Sequence, residues 1–274
     1  MNKGVTFVRF ARAVCLVVAA LASTGPAVGQ DARPGLNLTE PEKAFIKSNP
    51  TLTLCVDPDW LPYEGLSADG KHVGLISEYA LELQTRTGLQ FELVKTASWE
   101  ESWQLVEAGE CDIVAGLNRT RAREEYLSFT EEYINEPKVL VTQTGRGDIK
   151  SLPDLQGKSI GLVKGYSLDE KLGLDYPKIN RVYVSSLRDG LAKLSKGEVD
   201  GVVGAKFLME TAIADGGYTN LQIVSETRYL NLVRVGLRRD YYRGFTIMNK
   251  AVNSLSYADH KAIRESYLAA ASMR

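Results

Sequence analysis

The sequence predicts an α/β protein built as two similar lobes, and three observations lead to that expectation. Short apolar runs alternate with stretches of helical periodicity, which implies mainly parallel sheets covered on both faces. The segment Gly109-Glu110-Cys111-Asp112-Ile113-Val114-Ala115-Gly116 is echoed by Gly197-Glu198-Val199-Asp200-Gly201-Val202-Val203-Gly204, each after an amphipathic stretch. With 44% hydrophobic and 24% charged residues over 274 positions, the chain has enough apolar material for one large core or two modest ones. Two lobes place the two echoed segments in different sheets.

The elements follow in order. Thr39 and Glu42 have the spacing of a capping box and open a short helix to about Lys47, which Asn49-Pro50 stops. Leu52 to Val56 is a buried strand ending at Asp57-Pro58. Leu75, Ile76, Tyr79, Ala80 and Leu83 lie on one helical face, and Gly88 is placed to cap that helix. Phe91 to Val94 is a strand, Trp103 and Val106 lie on a helix ending at Gly109, and Asp112 to Gly116 is the next strand. Lys138 to Thr142, Gly157 to Val163, Arg181 to Val184 and Leu232 to Leu237 are further strands. Helices from Phe245 to about Leu255 and from Ser256 onward close the chain.

The N-terminus carries a second kind of signal. Lys3, Arg9 and Arg12 precede an apolar stretch from Ala13 to Ala22 and then Ala27-Val28-Gly29, the layout of a secretory signal cleaved near Gln30. That stretch is shorter than the roughly 20 residues of a bilayer span, and Cys15 lacks the lead-in of a lipidation site. The expected location is the periplasm. Lys+Arg 33 against Asp+Glu 34 leaves a net charge of -1, with no basic stripe for nucleic acid. Beyond the signal two cysteines remain, Cys55 and Cys111. They are either a disulfide of an oxidising compartment or two small apolar residues in strands.

Asp57-Pro58-Asp59-Trp60-Leu61-Pro62-Tyr63-Glu64, Ser98-Trp99, Asn118-Arg119-Thr120-Arg121-Ala122-Arg123 with Phe129-Thr130-Glu131-Glu132-Tyr133, and Gly157-Lys158 to Gly165 occur in a telling order and spacing. The chain from about Leu38 onward thereby resembles the family 3 bacterial solute-binding proteins, polar amino-acid binders with a Venus-flytrap fold, and the related periplasmic sensor domains. The resemblance implies a periplasmic binding protein-like II architecture, two α/β lobes joined by two crossover strands. The implied layout is a signal peptide over 1–29, a linker and helix over 30–50, lobe 1 over 51–142 and 236–274, and lobe 2 over 143–235. The family's strand order makes the strands of Cys55 and Cys111 parallel neighbours, which favours a bond between them.

Strand ends at Asp57, Asn118 and Gly165 are where open α/β sheets collect ligands. Arg123 falls on the family's carboxylate-binding arginine; the plainer alternative is a surface arginine, as expected for Arg119 and Arg121. A guanidinium grips a carboxylate through two parallel hydrogen bonds and keeps its charge near neutral pH. Trp60, Tyr63 and Trp99 fall where the family sets rings against the ligand, with the core as the alternative for each. Asp57 either meets a ligand cation or caps its turn. Ser167, beside Tyr166 and the amides after Gly165, matches a carboxylate-holding hydroxyl and also suits an ordinary helix cap. Two departures stand out: Asn118 replaces a serine or threonine, and Ala205 stands where amino-acid binders hold the α-ammonium with an aspartate.

The function implied is capture of a small polar, carboxylate-bearing ligand for an inner-membrane ABC transporter permease. The alternative is a free-standing sensor that partners a membrane receptor. An enzyme such as a cyclohexadienyl dehydratase needs an acid in lobe 2, yet Gly204 to Leu208 has none and Glu210 is the first to follow. The chain is therefore expected not to be an enzyme, and no metal site or cofactor is expected. His72 and His260, the only histidines, are expected at the surface without companions.

Overall fold

The computed structural model describes Met1 and residues 35–271. The expected signal segment, with Lys3, Arg9, Arg12, Cys15 and the cleavage point near Gln30, lies outside the described residues. Among the described residues no helix is long and apolar enough to cross a membrane.

Helix α1 (Glu40–Ser48) begins at the predicted capping box, where the Thr39 amide donates to Glu42 Oε2 at 2.7 Å. Strand β1 (Thr51–Cys55) follows. The next residues form a small antiparallel sheet of β2 (Asp59–Trp60), β3 (Glu64–Leu66) and β4 (His72–Val73). The sequence carries no periodic signal for it, because strands of two or three residues are too short to display alternation. Helix α2 (Leu75–Thr87) buries the predicted face, and Gly88 caps it at φ 76°, a left-handed conformation that glycine adopts at no steric cost. Then come β5 (Gln90–Leu93), α3 (Trp99–Glu107), β6 (Ile113–Asn118), β7 (Leu127–Phe129) and the long β8 (Ile134–Gln143). The second half continues with β9 (Ser159–Val163), α4 (Ser167–Asp175), β10 (Asn180–Val184), α5 (Leu187–Ser195), β11 (Gly201–Ala205) and α6 (Lys206–Asp215). The chain returns through β12 (Leu221–Arg238) to α7 (Tyr242–Asn253) and α8 (Tyr257–Ala271).

Strands β5, β1 and β6 form one parallel group, and β10, β9 and β11 form the other. Between the groups run β8 and β12, antiparallel to each other and to their outer neighbours. The expectation of separate sheets needs correction, since one hydrogen-bonded path of order β10-β9-β11-β8-β12-β6-β1-β5 holds both echoed segments. The reason is length: β12 has 18 residues, enough to pair with β8 at one end and β6 at the other. The ladder slips between Glu226 and Leu230, beside Pro137, which has no amide to donate. Strands β6 and β11 are never neighbours, so the two groups remain distinct lobes on a shared pair of crossover strands.

The echoed aspartates do the same job twice. Asp112 Oδ2 accepts from the Thr53 amide and hydroxyl at 2.9 and 3.0 Å, and Arg238 Nη1 lies 3.2 Å from its other oxygen. Asp200 Oδ2 accepts from the Ser159 amide and hydroxyl at 2.9 and 2.8 Å, and Arg146 Nη1 lies 2.9 Å from its other oxygen. Each carboxylate satisfies an amide of the neighbouring parallel strand, Thr53 in the middle of β1 and Ser159 at the start of β9, so the repeat encodes the same strand-to-strand brace in each lobe. Cys55 and Cys111 are bonded, with Cα atoms 5.8 Å apart.

Candidate ligand cleft between the lobes

The ends of β1, β6, β9 and β11 converge on one cavity of about 50 Å3. From the first lobe Asp57, Trp60, Trp99, Asn118 and Arg123 line it, and from the second Tyr166, Ser167 and Ala205. Helices α3, α4 and α6 all begin at this cavity, through Trp99, Ser167 and the N-cap Ala205. Ser98 caps α3 and Glu136 takes the Phe207 amide of α6, whereas α4 has no side-chain cap, and the partial positive charge of its start favours a negatively charged occupant.

Each side chain is held by its neighbours. The Asp57 amide donates to Glu64 Oε1 at 3.0 Å; Glu64 is fully buried, and its other oxygen lies 3.2 Å from His72 Nε2. Trp60 lies against Tyr63 with ring centroids 4.8 Å apart. Tyr63 itself does not line the cavity: it packs one layer behind Trp60 and against Phe207 at 6.1 Å, as a core residue. Gly165 is not in the lining either, but its φ of 77° turns the chain so that its carbonyl accepts from Arg123 Nη2 at 3.0 Å and Trp99 Nε1 at 3.4 Å. The Tyr166 hydroxyl donates to Asp57 Oδ2, and the Tyr166 ring meets Trp60 and Trp99 at 6.4 and 6.2 Å. These contacts join the two lobes directly.

The electrostatics are unusual for a protein interior. Arg123 is 6% exposed; its guanidinium donates to the carbonyls of Asn118 and Gly165 and stacks on Trp99 and Trp103. Burial pushes its pKa down to about 10, so it keeps its charge at neutral pH. Lys138, on β8 and equally buried, also lines the cavity and donates to Asn231 Oδ1 at 3.2 Å. Burial, helped by the charges of Lys171 and Arg123, pushes its pKa down to about 7. Among the described residues no ion pair joins either cation to a carboxylate. Asp57 is the one acid in the lining, and burial raises its pKa to about 7 despite hydrogen bonds from Tyr166 and the Asp59 amide.

Sequence reasoning missed Lys138, because a lysine opening the run Val139 to Thr142 reads as the exposed start of a strand. Its place in the middle of a crossover strand makes it a buried one. Both histidine expectations are corrected: His72 is half-buried against Glu64, and His260 Nδ1 lies 2.7 Å from the Tyr79 hydroxyl, where burial lowers its pKa. Strand β4 and helix α8 carry them onto packed partners. Glu210 is exposed on α6.

Comparison with known proteins agrees with this fold. The chain is 26% identical over 222 residues to the virulence sensor protein BvgS of Bordetella pertussis, covering 78% of this chain and 17% of that protein. The chain thus spans under a fifth of that sensor's length. It is 26% identical over 215 residues to the L-cystine-binding protein TcyA of Bacillus subtilis, covering 77% of each. The crystal structure of the Bordetella pertussis BvgS periplasmic VFT2 domain superposes with a TM-score of 0.75 at 23% identity, over 84% of this chain and 98% of that one. Residues 52–269 match the family model, and the chain belongs to the bacterial extracellular solute-binding proteins, family 3.

Proposed function

We propose that this is a periplasmic solute-binding protein that closes its lobes on a small carboxylate-bearing ligand and delivers it to an inner-membrane ABC transporter permease. The carrying observation is Arg123, a buried guanidinium that touches both lobes through carbonyls and lacks a carboxylate partner among the described residues. A desolvated cation is costly until an anion joins it. The proposed lobes are 51–142 with 236–274, and 143–235. Closure rather than chemistry is the functional event, since the lining offers one carboxylate and no nucleophile paired with a base.

A second reading, delivery of the liganded form to a membrane sensor, is favoured by the likeness to BvgS over 78% of this chain. Both readings share the cleft. Arg123→Ala is expected to lose about thirtyfold or more in affinity for the best carboxylate from a thermal-shift screen, measured by calorimetry. Undiminished affinity means that the ligand is held elsewhere. Uptake of labelled ligand in a deletion strain separates the readings: transport predicts lost uptake, sensing predicts intact uptake with a lost transcriptional response.

A further inference from the structure

We propose that Lys138, directly opposite Ala205 on the cleft wall, is a second anion-holding group, so that the ligand is a short dicarboxylate rather than an α-amino acid. This rests on the reading of Arg123 given above. Strands β8 and β11 pair antiparallel with Lys138 in register with Ala205, and residues so opposed project from the same face within about 5 Å at Cβ. Both line the cavity. The position where the resemblance puts an ammonium-gripping aspartate therefore carries a methyl group and faces an ammonium of the protein.

The remaining polar groups weigh toward anions. Lys138 has three protons to donate and one hydrogen bond, to an Asn231 oxygen that already accepts from Asn118 Nδ2 at 2.9 Å. Glu136, two residues along β8, engages its oxygens with the Phe207 amide at 3.0 Å and Asn231 Nδ2 at 3.4 Å. Asp57 accepts from the Asp59 amide on one oxygen and from Tyr166 on the other. A ligand ammonium thus meets two buried cations and a single carboxylate, Asp57, each of whose oxygens already accepts a hydrogen bond. Arg123 and Lys138 hold separate anionic ends, and Trp60, Trp99 and Tyr166 offer apolar faces to a short carbon spine between them. Inorganic dianions have no such spine, and the small cavity limits its length.

The test is calorimetry at about pH 7 with malonate, succinate and glutarate, against propionate and butyrate, alanine and glutamate, and sulfate. The tightest dicarboxylate is expected to bind at least about tenfold more tightly than the monocarboxylates, the amino acids or sulfate. Lys138→Met, which keeps the length and loses the charge, is expected to reduce that advantage to about twofold or less while leaving monocarboxylate affinity in place. Arg123→Ala removes binding of both classes. A monocarboxylate, an amino acid or sulfate binding as tightly as every dicarboxylate overturns the proposal, as does a preserved ratio in Lys138→Met. Wild-type affinities in Arg123→Ala overturn the cleft assignment itself. The ligand panel on the wild-type protein decides the question even if a variant fails to fold.

Discussion

Lys138 and Ala205 face each other across the antiparallel pair of β8 and β11, one from a crossover strand and one from the N-cap of α6. On sequence grounds alone, Ala205→Asp is expected to turn the cleft toward α-amino acids. The facing lysine changes that outcome, because the new carboxylate lies within reach of Lys138 and pairs with it first. Ala205→Asp is expected to weaken dicarboxylate binding by about tenfold or more without gaining glutamate binding. The double variant Ala205→Asp with Lys138→Met frees the carboxylate and gains glutamate binding. Calorimetry on both variants checks this, and glutamate binding by the single variant contradicts it.

Tyr166→Phe removes the hydroxyl that holds Asp57 across the cleft and keeps the ring between Trp60 and Trp99. A hydrogen bond to a charged group contributes roughly 1.5–3 kcal/mol, enough to shift a closed state toward an open one. Small-angle scattering of the unliganded variant is expected to show a larger radius of gyration. A profile matching the wild type rules out this latch.

Asp57 and Lys138 set a pH dependence of opposite signs. Burial raises Asp57 to about 7 from an ordinary 3.8, so the folded protein keeps a proton that the unfolded chain releases. Stability therefore falls as pH rises from about 4 to about 7, by up to roughly 4 kcal/mol. Lys138, lowered to about 7 from 10.5, returns stability as pH rises from about 7 to about 10. His260, lowered by burial, acts against Asp57 on the acid side, and it does so equally in a variant. Melting temperatures of Asp57→Asn minus wild type are thus expected to grow between about pH 4.5 and 7.5. A difference that stays flat over that range removes Asp57 from the account.

The Cys55–Cys111 bond closes a loop with a sequence separation of 56. Restricting the unfolded chain by such a loop contributes about 4 kcal/mol, and Cys55→Ser with Cys111→Ser is expected to lower the melting temperature by roughly 10 °C. Intact mass of protein purified from the periplasm should rise by two hydrogens on reduction. Two free thiols in that protein are the contrary result.

Much of the fold was legible because its signals are local. A capping box needs residues three apart, the face of α2 needs a period near four, and Gly88 needs only its own backbone freedom. The Gly-Glu-x-Asp echo marked where a parallel strand begins in each half, and the structure shows the two aspartates bracing Thr53 and Ser159 alike. Eight of the ten expected site residues line the cavity, since they stand at strand ends and helix starts.

The sequence by itself determined the alternation of elements and the duplicated unit, while its resemblance to a family favoured the cysteine bond and an arginine at the cleft. Tertiary structure alone decided that β12 is long enough to serve both lobes, that Tyr63 lies behind Trp60, and that Lys138 is buried opposite Ala205. These depend on pairing between residues far apart in the chain. A lysine reads as a surface residue until the register of two distant strands places it, buried, in the lining of a cavity.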